Sequence, residues 1–80
     1  KTTDNYYLGY TFYTRKQYDA AIKNFEKVVN LYPFDYDNSL MLAWSYLRLG
    51  KHNEAKLLFN KVLLMSPNDA SALEGLATIK

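Results

Sequence analysis

One feature limits what this chain can fold into more than any other. The stretch from Tyr18 to Pro33, YDAAIKNFEKVVNLYP, returns 34 residues later as HNEAKLLFNKVLLMSP, from His52 to Pro67. Ala21/Ala55, Phe25/Phe59, Lys27/Lys61, Val28/Val62 and Pro33/Pro67 stay in register. Self-similarity at a fixed period of this size marks a stack of supersecondary units, each unable to bury its apolar side alone. Such a chain gains a core by repetition, and its activity is most often to hold a partner.

Within the repeat, the apolar positions Tyr18, Ala21, Ile22, Phe25, Val28 and Val29 step mostly by three and four, so a helix is expected from Tyr18 to Leu31. Pro33 stops it, because proline lacks the next N–H and steers the preceding residue out of helical geometry. Thr2 to Thr14 also reads as a helix, with Thr3 or Asp4 as N-cap and Leu8, Gly9 and Phe12 on one face. A short polar turn follows at Arg15, Lys16 and Gln17. A third helix is expected from Tyr36 to Leu49, capped by Asp35 or Asp37 and stopped by Gly50. The fourth runs from Asn53 to Met65, and a fifth begins at Asp69, which matches Asp35 one period on. No segment alternates with the period of a strand.

These residues resemble the tetratricopeptide repeat, a 34-residue helix–turn–helix unit. Leu8-Gly9, Phe12, Ala21, Phe25 and Pro33 fit one copy. Leu42-Ala43, Tyr46, Gly50, Ala55, Phe59 and Pro67 fit the next, and Leu73, Leu76 and Ala77 open a third. The pattern departs from the family at Asn5 and Ser39, where a large residue is usual, and at Lys16, where a glycine usually ends the first helix. The resemblance implies an all-α, right-handed stack of helical hairpins with five helices. Residues 1–80 then form one domain: a repeat over 2–35, a repeat over 36–69, and a partial repeat or capping helix over 70–80. Small residues at Gly9, Ala21, Ala43 and Ala55 let paired helices approach, and Phe25 and Phe59 fill the gaps.

Beside the core face, the first helix carries Tyr6, Tyr10 and Tyr13, spaced by four and three and therefore neighbours on its surface. One period on stand Leu40, Trp44 and Leu47; in the fifth helix Glu74 and Thr78 turn the stripe polar. In the resembled family this side of the first helix of each unit lines a concave groove that holds peptides. Aromatic side chains there offer contact area at small entropic cost. The competing expectation is that the rings pack among themselves or on a neighbouring repeat. One subset of the family clamps acidic chaperone tails with Lys, Asn and Arg. Here the matching places carry Tyr6, Tyr10 and Met41, and Arg48 and Lys51 near the groove end do not rebuild the set. Leu57 and Leu64 replace Lys23 and Asn30 of the first copy, on the outward side of the fourth helix. They are expected either to meet the fifth helix or a following repeat, or to form a self-association surface that makes a homo-oligomer.

The remaining sequence narrows the function further. About half the residues are apolar and the net charge is only +2, a globular balance that argues against electrostatic capture of nucleic acid. Lys23, Lys27, Lys56 and Lys61 also fall on the second helix of each unit, away from the aromatic stripe. No cysteine is present, His52 is the one histidine, and no spacing of ligands or glycines points to a metal or other cofactor. The longest apolar runs, Leu40–Trp44 and Val62–Met65, are too short to cross a bilayer. The chain opens on Lys1 instead of methionine and is expected to be a segment of a longer protein. The expected function is a non-catalytic scaffold holding a protein or peptide partner at Tyr6, Tyr10, Tyr13, Leu40, Trp44 and Leu47. The alternative is a structural solenoid segment that stacks on further repeats or on itself.

Overall fold

The computed structural model describes residues 2–79, and among them the chain is all-helical with no strand. Its five helices are α1 (Thr2–Thr14), α2 (Tyr18–Leu31), α3 (Tyr36–Arg48), α4 (His52–Met65) and α5 (Ala70–Thr78). Lys1 and Lys80, the ends of the expected 1–80 span, lie outside the described residues. Each helix packs on its successor; α1 also touches α3, and α3 touches α5. This is the all-α helical-repeat architecture that the 34-residue period implies.

The ends of the helices repeat as faithfully as their cores. At the end of α1, Lys16 N–H donates to Tyr13 C=O (3.0 Å) and Gln17 N–H to Phe12 C=O (2.9 Å). At the end of α3, Gly50 and Lys51 make the same two bonds, to Leu47 (3.0 Å) and Tyr46 (2.9 Å). Both are Schellman stops, which need a left-handed residue after the cap. Gly50 supplies it at φ 79°, and Lys16 is forced into it at φ 62°. The returns to α3 and α5 also match: Asp35 accepts from Asn38 N–H (3.0 Å) and Asp69 from Ala72 N–H (2.9 Å). Each carboxylate satisfies a helix-start donor at the positive end of the helix. The expectation for α1 differs: Thr3 and Asp4 lie inside its first turn and are not its N-cap.

Two apolar clusters form the core. The first joins Ala21, Ile22, Phe25, Val29 and Leu42; the second joins Ala43, Ala55, Phe59, Val62 and Ala72. Tyr46 and Leu58 pack against both and make the two continuous. Phe25 and Phe59 are fully buried, each closed against a glycine. A Cβ at Gly9 would lie 2.6 Å from the Phe25 ring, and one at Gly75 would strike the Phe59 ring. Ser39 and Ser45, also fully buried, find backbone acceptors at Pro33 (3.4 Å) and Met41 (2.8 Å). Leu8, expected on the buried face, is 50% exposed, whereas its counterpart Leu42 is 3% exposed under α2. The difference is positional: α1 has no preceding helix among the described residues to cover Leu8.

Two outcomes follow for stability. Phe59→Ala removes a ring from the closed centre of the second cluster and should cost about 3–5 kcal/mol. That is comparable with the whole stability that 80 residues folded alone can reach, so far-ultraviolet circular dichroism of this chain should find the variant largely unfolded at room temperature. A melt lowered by only a few degrees would contradict this. Lys16→Gly relieves a left-handed lysine, worth about 1–2 kcal/mol, against a larger unfolded-state entropy of roughly 0.5–1 kcal/mol. The net expectation is a Tm raised by a few degrees; a Tm at or below that of the parent would show that the strain does not exceed the entropic cost of glycine.

Candidate partner-binding groove

Helix α3 touches α1 on one side and α5 on the other. Along α1 the tyrosines form a ladder. Tyr6 stacks on Tyr10 at 6.1 Å between centroids, and Tyr10 on Tyr13 at 6.3 Å, with planes about parallel (23° and 21°). The outer rungs are backed by other rings: Tyr6 leans on Phe25 (6.2 Å), and Tyr13 meets Tyr18 edge-on (5.4 Å). Both pack against the first core cluster, so the ladder is not turned wholly away from the core as its spacing implied. Tyr10 between them is 44% exposed.

On α3, Trp44 is fixed on two sides. Its ring meets that of Phe59 edge-to-face at 5.3 Å, and its Nε1–H donates to Ser71 Oγ of α5 at 2.9 Å. The guanidinium of Arg48 lies over the Trp44 ring, 5.4 Å from its centroid, and Arg48 Nε–H donates to the Tyr13 hydroxyl at 3.0 Å. Tyr10, Tyr13, Met41, Trp44, Arg48 and Glu74 enclose an open cavity of about 300 Å³. A smaller one of about 140 Å³ lies among Thr3, Tyr6, Tyr7, Asp35, Asp37 and Asn38. Of the six residues expected to form a groove, three (Tyr10, Tyr13, Trp44) therefore share one cavity and Tyr6 lines the next. Leu40 and Leu47 pack against the second core cluster and line neither.

Arg48 and Glu74 are walls of the cavity that spacing alone did not reveal. Arg48 looked like a groove-end residue and Glu74 like the place where the stripe stops, because their approach depends on α3 and α5 packing together. Leu57 and Leu64 are 73% and 78% exposed, so α5 does not cover them. A third cavity of about 400 Å³ lies between α4 and α5, lined by His52, Asn53, Lys56, Asn60, Leu76 and Ile79. Lys23, Lys27 and Lys56 are exposed on the second helices; Lys61 is half-buried there, and that burial lowers its pKa. Among the described residues no cluster of three or more His, Asp or Glu comes together as a metal site, and no helix is long and apolar enough to cross a membrane.

Hydroxyl bonds and burial together shift the titration of groups on and behind this face. The Tyr36 hydroxyl donates to Asp69 and so ties the start of α3 to the cap of α5. That bond is the main cause that pushes the Tyr36 pKa up to about 12. Tyr46 also reaches about 12, first through burial and then through its bond to Glu26 Oε2 at 2.6 Å. Burial raises the Tyr6 pKa, with the nearby Asp37 charge adding to it. The bond that Arg48 donates to the Tyr13 hydroxyl raises the Arg48 pKa, with Glu74 a smaller contributor.

The chain belongs to the tetratricopeptide repeat family: the family model of that description matches residues 12–79. It is also similar to the protein described as "Uncharacterized protein ycf37" from Guillardia theta, with 31% identity over 81 residues. That alignment covers 95% of this chain but 46% of the relative, so the chain spans about half the relative's length. Tetratricopeptide repeats serve generally as protein–protein interaction scaffolds and are typically non-catalytic.

The raised tyrosine pKa values make stability depend on alkaline pH. Below pH 10 both hydroxyls keep their protons whether folded or unfolded, and their bonds contribute fully. From pH 10 towards about 12 the unfolded tyrosines ionise first, so stability should fall across that window. Urea midpoints measured through it should decline, and Tyr46→Phe should flatten the decline while lowering the neutral-pH midpoint. An unchanged slope in the variant would remove Tyr46 as a cause.

Proposed function

We propose that the domain is a non-catalytic scaffold that holds a segment of a partner protein in the groove of α1, α3 and α5. The observation that carries this reading is the ring-lined cavity: Tyr10 and Tyr13 on one side, Met41 and Trp44 on the other. The rings are already ordered by stacking and by bonds to other helices, so an occupant finds apolar contact area without ordering them. Tyr10 is the residue that would meet it most directly, because it is the most exposed rung of the ladder.

The test uses peptides selected from a random displayed library against the whole chain. Binding should change the fluorescence of Trp44, the sole tryptophan. Tyr10→Ala should weaken binding about tenfold, as truncation of a central aromatic contact does, and should leave the melt nearly unchanged. Selected peptides whose affinity ignores Tyr10→Ala would remove the groove.

A second reading is favoured by one specific observation. Leu8, half-exposed on α1, occupies the position at which Leu42 is buried against α2. In that reading the α1 face is a stacking surface for a further repeat or a second copy, and the exposed Leu57 and Leu64 offer another. Light scattering over a concentration series separates the two: a monomer throughout counts against self-association.

A further inference from the structure

Arg48 is held more firmly than an exposed arginine on a helix end needs to be. Its Nε–H is bonded to Tyr13 of α1, and its plane rests over Trp44, which is itself anchored to Ser71 of α5 and Phe59 of α4. Four helices thus contribute to one guanidinium position. Its two terminal amino groups make no bond among the described residues, so the fork that suits a carboxylate is left open. Arg48 is also the only cation on α1, α3 or α5; the other charges there are Asp4, Asp37 and Glu74.

Resting on the groove reading above, we propose that Arg48 is the specificity-determining residue of the groove and receives a single acidic side chain, Asp or Glu, from the partner segment. An apolar or aromatic neighbour of that acid fills the cavity between Tyr10 and Trp44. The ladder continues from Tyr13 to Tyr6, so the segment lies along it and only one side chain turns towards Arg48. An exposed ion pair contributes little when both side chains must be ordered and water surrounds them. Here the arginine is ordered in advance, and an occupant of the cavity excludes water from its fork. Glu74, on the wall supplied by α5, sets the limit: its charge opposes a second acid, so the groove discriminates against polyacidic tails.

The experiment selects peptides from a random library, flanked by display protein at both ends, on the whole chain. Binders that lose affinity in Tyr10→Ala are then synthesised. Asp or Glu beside a large apolar residue should be enriched among them, and replacing that acid by its amide should weaken binding about tenfold. In Arg48→Gln the acid and its amide should bind alike, Arg48→Lys should restore some of the difference, and Glu74→Gln should strengthen acidic peptides. The melting curve of Arg48→Gln separates a lost receptor from a lost fold. Groove-dependent binders without acidic enrichment, or with a preference for basic residues, would overturn the assignment while leaving the groove intact. So would an acid-to-amide loss of equal size in Arg48→Gln. No binder sensitive to Tyr10→Ala would remove the groove, and this inference with it.

Discussion

The structure depends on the closure of two phenylalanine rings against backbone that carries no side chain. Phe25 lies against Gly9, and Phe59 against Gly75, with no room for a Cβ at either glycine. Glycine inside a helix is unfavourable by about 1 kcal/mol relative to alanine. The close approach it permits puts a full aromatic ring out of water, worth about 1.5–3 kcal/mol in transfer terms, so packing outweighs propensity. The small residues Ala21, Ala43, Ala55 and Ala72, all fully buried, extend the same principle along the helices. A larger residue at any of them would push a pair of helices apart, and with them the faces that the helices present on the other side.

That coupling reaches the candidate groove directly. Phe59 packs edge-to-face with Trp44, Trp44 carries the guanidinium of Arg48, and Arg48 reaches across to Tyr13. The core ring of one unit therefore sets the position of a cation at its surface. The turns set direction. Identical Schellman stops end α1 and α3, and identical carboxylate caps start α3 and α5. Arg48 thus stands in the last turn of α3, where the negative end of the helix favours a cation. Asp37 stands in the first turn, where the positive end favours an anion.

The helices and their order were legible because they rest on local spacing and on proline, glycine and aspartate at fixed offsets. Boundaries came within about one residue at α3 and α4: Gly50 acts through its left-handed backbone, and Asp35 through its carboxylate on the Asn38 N–H. Burial was less legible. Leu8, Tyr6 and Tyr13 all lie on apolar stripes of α1, and periodicity cannot say which stripe another helix will cover. Leu40 and Leu47 sit one period from Tyr6 and Tyr13, and each pair packs against the core cluster of its own unit, so the stripe is partly core in both. Gly75 was invisible as a packing residue, since nothing nearby in sequence reveals that Phe59 crosses over it. Arg48 and Glu74 became walls of one cavity only through the pairing of α3 with α5.

These differences decide where binding and stability can be told apart. Trp44 is bound to Ser71, Phe59 and Arg48 at once, so removing it disturbs the second cluster and the attachment of α5 together with the groove. Tyr13 likewise serves both Arg48 and Tyr18. Tyr10 touches only its two neighbouring rungs among the ring contacts and is half in water. Trp44 and Tyr13 are therefore structural residues as well as walls of the candidate groove. Tyr10 is the side chain at which the contribution of the proposed partner would be separable from the fold's own.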